Sequence, residues 1–217
     1  MGHIPHLYIP GPWEEPSLHL SQGQRHHLHR VLRISDGAAV SYTDGRGRVG
    51  SGRIEGESVL RGGEREIPRP SLLWVAVPPP GSRDRTRYLV EKLAEVGVSR
   101  LLWVDTRRSE GRKPPASKAE AWACSALEQS RGAWLMEMGE ASLDELEPSR
   151  LVVADPEGGD VEAGTDDILL VGPEGGWDHT ELPEGVRRLR LGPTILRVET
   201  AAVAGAVLLG ARSARRG

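Results

Sequence analysis

The 217-residue chain contains no phenylalanine and no asparagine, and its only cysteine is Cys124. A lone cysteine excludes an internal disulfide and any cysteine-based zinc cluster. Lysine is nearly missing as well. Lys92, Lys113 and Lys118 are the only ones, so arginine carries almost all the positive charge. Long hydrophobic runs are also absent: no stretch approaches the roughly 20 apolar residues that a membrane span requires. The longest, Ala201 to Ala211, is built of small residues and reads as a packed helix. The opening MGHIPHLYIPG has neither the basic start nor the apolar middle of a secretory signal, so a cytoplasmic protein is expected.

What is present is ordinary for a folded chain: 38% hydrophobic and 27% charged residues, with length enough for one large domain or two small ones. The net charge of −3 argues against a nucleic-acid partner, but its distribution is uneven. Residues 1–113 carry 18 Lys and Arg against 13 Asp and Glu, whereas residues 114–217 carry 10 against 18. A basic first half on an acidic chain suggests a localised anionic contact.

The rhythm of the sequence changes once. Up to about Ile67 it shows short strands and turns, with a hairpin signal at Asp44-Gly45. RGGEREIPRPS, from Arg61 to Ser71, is polar and holds two prolines, and it reads as a linker. The expected domains are therefore residues 1–67 and 71–217. In the second, apolar strands (71–77, 100–105, 151–155, 168–171 and 187–191) alternate with helices. One helix starts near Ser82 and stops at Gly97. Another has a capping box at Ser117 and Glu120 and ends at Gly132, a short one has a capping box at Ser142 and Glu145, and the last runs from about Glu199 to Arg212. The alternation predicts a mostly parallel α/β sheet.

Three of these strands end in related turns: ADPEGG (154–159), GPEGG (172–176) and LGP (191–193). In open α/β sheets ligands bind beyond the carboxyl ends of the strands, although glycine and proline also simply end strands. Neither a Gly-Lys-Ser/Thr phosphate loop nor a Gly-x-Gly-x-x-Gly fingerprint occurs. Asp155, Glu157 and Glu174 would repel a phosphate. A neutral or cationic ligand fits better, and S-adenosylmethionine qualifies, with Leu191, Ile195 and Leu196 as an apolar enclosure for its adenine.

LLVGPEGGW followed by LRLGPTILRVETAAVAGAVL resembles the C-terminal signature of the ribosomal RNA small subunit methyltransferase E family. This is a SPOUT (trefoil-knotted) branch that makes 3-methyluridine in 16S ribosomal RNA. RHHLHRVLRISDG (25–37) is similar to that family's PUA-like barrel, and RYLVEKLAEVGVSRL, TRRSEGR and ALEQSRG follow its middle motifs in order. The chain departs from the pattern at PHLYIP, which lacks an arginine, at Thr194, where arginine is common, and at Trp177, where phenylalanine is usual.

The resemblance implies an α/β fold. A knotted, mostly parallel SPOUT domain follows a small PUA-like β-barrel, and S-adenosylmethionine is the cofactor. The cofactor-holding set is then Leu170, Gly172, Pro173, Glu174, Gly175, Gly176, Leu191, Gly192, Ile195, Leu196, Arg197 and Thr200. Removing the N3 proton of uracil leaves an anion that a fixed arginine can stabilise. Arg197 is the catalytic candidate, with Glu199 to orient it or to accept the proton. A salt bridge between the two that only pins the loop is the plainer alternative. Arg107, Arg108, Gln129 and Arg131 are RNA-facing by resemblance, and Arg30 and Arg33 are expected on a basic surface of the first domain. His26, His27 and His29 fit no common zinc spacing, and no metal is expected. Cys124 reads as a small buried hydrophobe. The final helix, with Ala201, Ala202, Gly205, Ala206 and Leu209, is apolar on more than one face, which predicts a homodimer. Two other functions remain in view. One is a ribose 2′-O-methyltransferase of the same fold, disfavoured because the members known to us use an asparagine that this chain lacks. The other is a non-catalytic RNA-binding protein that keeps the fold.

Overall fold

The computed structural model describes residues 4–69, 72–162, 164, 167–178 and 180–213. It divides into two compact units. The first comprises the described residues up to Arg69 together with Leu127–Leu135, and the second takes the rest.

The first unit is a five-stranded mixed sheet in the order β1 (His6–Tyr8), β3 (Ala39–Thr43), β4 (Arg48–Glu55), β5 (Ser58–Glu66), β2 (Ser17–His19). The hairpin expected at Asp44-Gly45 joins β3 to β4. The Asp44 carboxylate accepts the N–H groups of Arg46 and Arg48 at 2.7 and 3.1 Å, which ties the turn. Tyr42 is fully buried, meets Trp13 edge to face at 4.9 Å, and donates its hydroxyl to Glu64 at 2.9 Å. Gly50 makes room for that ring, since a Cβ there would lie 2.4 Å from it. The stretch read as a linker is mostly strand: Arg61 to Glu66 belong to β5, antiparallel to β4. Its polar look arises because most of these side chains stay solvent-accessible while the backbone pairs. Between β2 and β3, a helix α1 (Gln22–His26), capped by Ser21 and Gln24, continues as a π-turn (His27–Val31) that buries Leu28.

The second unit holds a six-stranded sheet in the order β11 (Arg187–Leu189), β9 (Leu151–Gly159), β10 (Ile168–Leu170), β6 (Trp74–Val77), β7 (Arg100–Val104), β8 (Glu137–Ala141). Every neighbouring pair is parallel. The apolar runs that the sequence shows become its fully buried interior: Val75, Leu101, Val152, Leu169 and Leu170. Each such side chain contributes about 1.5–3 kcal/mol, enough to offset the ordering of its own backbone. Helix α2 (Arg83–Glu95) begins at the Ser82 cap and stops at Gly97, whose φ is +79°.

Several expectations need correction. Helix α3 (Ala116–Ser130) starts one residue before Ser117, with the Pro115 carbonyl accepting from Lys118 and Ala119, so Ser117 lies inside the first turn and is not a cap. The left-handed residue at its end is Arg131 (φ +54°), ahead of Gly132. Cys124 is half-buried. The Ser142–Glu145 capping box is formed, on a single 3₁₀ turn. Strand β6 starts at Trp74, and Ser71, where it was expected to begin, lies outside the described residues. The small residues of α4 (Val198–Ser213) serve the chain's own core: Ala202, Ala206 and Leu209 are buried, and a Cβ on Gly205 would lie 2.6 Å from Leu169.

Candidate active site

Strands β11, β9 and β10 lie side by side, so the segments at their carboxyl ends meet. On β9, Val153 pairs with Arg188 and Gly159 with Leu189, which leaves residues 154–158 looped out of the ladder. The segment expected to be a turn is this bulge. Asp155 fixes it by accepting from the Glu157 N–H at 2.8 Å and from the Arg188 guanidinium at 2.7 Å. After β10 the chain breaks at Gly172 and closes a tight turn, with the Gly176 N–H donating to the Pro173 carbonyl at 2.9 Å. The Trp177 indole packs directly on Gly172, where a Cβ would lie 2.7 Å from Nε1. That N–H is buried and has no acceptor among the described residues. The third segment, Leu191 to Arg197, leads into α4 and leaves Ile195 87% exposed.

These segments enclose a cavity of about 390 Å³. Val171, Trp177, Leu191, Leu196 and Ala201 give it apolar walls, among the described residues no lysine, arginine or histidine lines it, and Asp155 and Glu174 are its carboxylates. Such a lining suits an adenosine carrying a cation and disfavours a polyphosphate. The residues therefore fit S-adenosylmethionine, and Gly172 lets the Trp177 wall close against the turn, since any side chain there would displace the indole.

One half-buried ion pair frames the site. Arg85 of α2 donates Nε to Glu199 Oε1 at 2.9 Å and Nη2 to Oε2 at 2.7 Å, and the same Nη2 reaches Glu174. Burial is the largest single influence and would raise the Glu199 carboxyl, but the Arg85 hydrogen bonds, a backbone N–H at Glu199 and the charges of Arg85 and Arg197 together hold its pKa below the ordinary value. Glu199 and then Glu174 in turn push the Arg85 guanidinium further up. Beyond the Pro173–Gly175 wall lies a second cavity of about 560 Å³, bordered by Arg107, Arg108 and Pro78–Gly81. Pro173, Glu174, Gly175 and Val198 line both cavities.

Residues 67–210 match the RNA methyltransferase domain family. The chain belongs to this family. The ribosomal RNA small subunit methyltransferase E of Synechocystis is 27% identical over 221 residues, covering 86% of this chain and 70% of that protein. A "probable rRNA-methyltransferase" from Porphyromonas gingivalis superposes with a TM-score of 0.83 at 25% identity, covering 99% of this chain and all of that one. The fold of ribosomal RNA small subunit methyltransferase E from Neisseria gonorrhoeae, solved with bound S-adenosyl methionine, is shared at a TM-score of 0.80 and 23% identity over 96% of this chain and 98% of that one.

Within this RNA methyltransferase domain, nine of the residues expected to hold the cofactor line the 390 Å³ cavity: Gly172, Pro173, Glu174, Gly175, Gly176, Leu191, Gly192, Ile195 and Leu196. Leu170 lies in the buried core of β10, and Arg197 and Thr200 are exposed and are not among the residues that line the cavity. The pairing of Glu199 with Arg85 replaces the one imagined with Arg197, and it occupies both carboxylate oxygens. Arg107 and Arg108 border the second cavity, but neither is free. The Arg107 guanidinium binds Asp178 at 3.1 Å and Thr180 at 2.8 Å, and Arg108 donates to the Gly175 carbonyl at 3.0 Å. Arg30, Arg33, Gln129 and Arg131 are exposed and belong to the first unit. Among the described residues no three His, Cys, Asp or Glu side chains group to hold a metal, and no helix is long and apolar enough to cross a membrane. Sequence reading missed Arg85 entirely, because it stands 89 and 114 residues from its two carboxylates and no spacing rule reaches that far.

Proposed function

We propose that the protein is an S-adenosylmethionine-dependent ribosomal RNA methyltransferase acting on N3 of a uridine in 16S ribosomal RNA. The observation that carries this is the apolar cavity with Asp155 and Glu174 in its lining at the ends of β9, β10 and β11, sharing one loop wall with a larger cavity edged by arginines. Bound in the first, the cofactor supplies a methyl group on a sulfonium centre. The chain's own contribution is alignment: the Gly172–Gly176 turn and Leu191–Leu196 enclose the cofactor and exclude water. Arg197, exposed and next in sequence to the lining residues Leu196 and Val198, stabilises the uracil anion formed when the N3 proton passes to solvent. Glu199, fully engaged by Arg85, holds the start of α4 in place and does not take up the proton.

In the finer reading, the first unit is a PUA-like barrel presenting Arg30, Arg33, Gln129 and Arg131 to RNA, and the second has the knotted SPOUT topology. Its all-parallel order and the likeness along the whole chain support this. Two copies pair through the second unit, which gives cover to Ile195 (87% exposed) and Val207 (51%). Ribosomal RNA as substrate places the protein in the cytoplasm. The ribose-methylating alternative lacks its asparagine, and a silent binder would have no use for the cofactor cavity.

The decisive experiment adds the protein and labelled S-adenosylmethionine to small-subunit RNA from cells lacking the endogenous enzyme, and identifies the product by mass spectrometry. Label is expected in 3-methyluridine. Label in a ribose, or cofactor binding without transfer, overturns the reading.

A further inference from the structure

A third cavity of about 420 Å³ lies in the second unit, on the far side of the second one. Arg83 from the start of α2, Arg112 and Lys113 from the segment before α3, and Lys118 from its first turn line it. Pro80, Gly81, Glu110 and Gly111 border both this cavity and the 560 Å³ one. The three cavities therefore form one row, in which each shares a wall with the next.

The cations along this row differ in their commitments. Arg85 and Arg107 are paired with carboxylates, Arg108 is bound to a carbonyl, and Lys113 is held by Glu140 at 2.7 Å and Asp105 at 3.3 Å. Arg83, Arg112 and Lys118 are exposed and make no ion pair among the described residues. Three uncommitted cations thus surround one concavity on a chain whose net charge is −3, with Glu110 as the carboxylate facing them. Exposed, unpaired cations in a groove attract a polyanion, because contact releases the counterions condensed on it. The first turns of α2 and α3 border the same space and add partial positive charge, a minor addition to three full ones.

We propose that this cavity holds backbone phosphates of the RNA next to the target nucleotide. Arg83, Arg112 and Lys118 act as an anchor that lays the strand along the row toward the cofactor. This deepens the RNA methyltransferase reading and rests on it. The base occupies the middle cavity, which shares Pro173, Glu174, Gly175 and Val198 with the cofactor cavity, and the anchor fixes the strand from one side. Phosphate contacts of this kind position the strand and read no sequence.

The test compares the unmodified full-length chain with the triple variant Arg83→Gln, Arg112→Gln, Lys118→Gln. Transcribed 16S ribosomal RNA is the probe, and binding is measured over a range of salt concentrations. Affinity at low salt should fall at least roughly tenfold, and the slope of log affinity against log salt should become shallower by about two, given roughly 0.7–0.9 per phosphate contact. S-adenosylmethionine binding by calorimetry should change less than about twofold, showing that the fold is intact, and KM for RNA should rise while kcat is retained. Glu110→Gln should shift RNA affinity the other way, upward by a few-fold. Unchanged affinity and slope in the triple variant, with the unmodified chain methylating RNA, would overturn the proposal. If the unmodified chain binds RNA but transfers no methyl, the assigned activity falls, and the salt slope still decides the anchor.

Discussion

The two glycine-proline turns that line the 390 Å³ cavity are built on opposite plans. The first is cross-linked at nearly every position: Glu174 is held by Arg85, the Gly175 carbonyl by Arg108, and Asp178 just beyond by Arg107 and by the N–H and hydroxyl of Thr180. The second, Leu191 to Arg197, receives no side-chain hydrogen bond among the described residues and leaves Ile195 in water. Equal sequence signals therefore mark unequal parts. One turn is a cross-linked wall shared by two cavities, and the other is an apolar segment that its own side-chain packing and backbone must hold.

The sharpest way to break this contrast is to fill the cavity from the loose side. Nothing lies within 4 Å of a Cβ placed on Gly192, so Gly192→Leu should leave the melting temperature within about 2 °C while weakening S-adenosylmethionine binding by roughly a hundredfold or more. Calorimetry with the cofactor checks both statements. Next in size is Arg85→Ala, which releases the stiff turn and strands the buried Glu199. We expect a loss of about 3 kcal/mol of stability and a tenfold or greater loss of cofactor affinity. Replacing both Arg85 and Glu199 by methionine should cost less than Arg85→Ala alone, because no buried charge is left unpaired. A double-mutant cycle followed by denaturant unfolding measures the difference.

Acid should act on the stiff side only. Glu199 is held below its ordinary pKa of 4.5 in the folded chain, so its contribution is complete above about pH 4.5 and is lost as pH falls through the lowered value. Melting curves should show a steeper acid loss for the unmodified chain than for Glu199→Gln. The smallest effect is expected at Ile195→Ser. Cofactor affinity should move less than about threefold and chain stability hardly at all, whereas sedimentation should show the proposed dimer already dissociating at a higher concentration than for the unmodified chain. No such shift would leave the segment's exposed face without a role in pairing.

Legibility in the sequence followed burial. The runs around Val75, Leu101, Val152 and Leu169 announce strands buried on both faces, and the alternation with helices gives the parallel sheet. EMGEA (137–141) does not announce β8, because an edge strand pairs on one side only and carries polar residues at no cost. RGGERE reads as a linker for a related reason, and Gly62 within it sits where a Cβ would lie 2.6 Å from the Ser51 carbonyl. The cavity wall was legible, since glycines and the residues beside them mark it locally. The Arg85 clamp was not, nor was the free state of Arg83 and Arg112 against the bound state of Arg107, because an arginine's partner is set by the fold and its sequence neighbourhood is silent.

The division of the first unit between residues up to Arg69 and Leu127–Leu135 has a consequence for how the chain comes into being. Gly132 provides the carbonyl for His6 Nε2 at 3.1 Å, and Glu128 accepts the Tyr8 N–H at 2.8 Å. Trp134 donates its indole N–H to the Ile67 carbonyl at 2.9 Å, and the Leu135 N–H donates to the Gly45 carbonyl at the same distance. None of these partners exists when Arg69 leaves the ribosome. At usual elongation rates the early sheet waits roughly 3 to 13 seconds for them. The unit that begins first is therefore completed only after β6, α2 and β7 have been synthesised. The order of birth along the chain is not the order of completion, and the first 69 residues released alone would be an unfinished sheet with open acceptors.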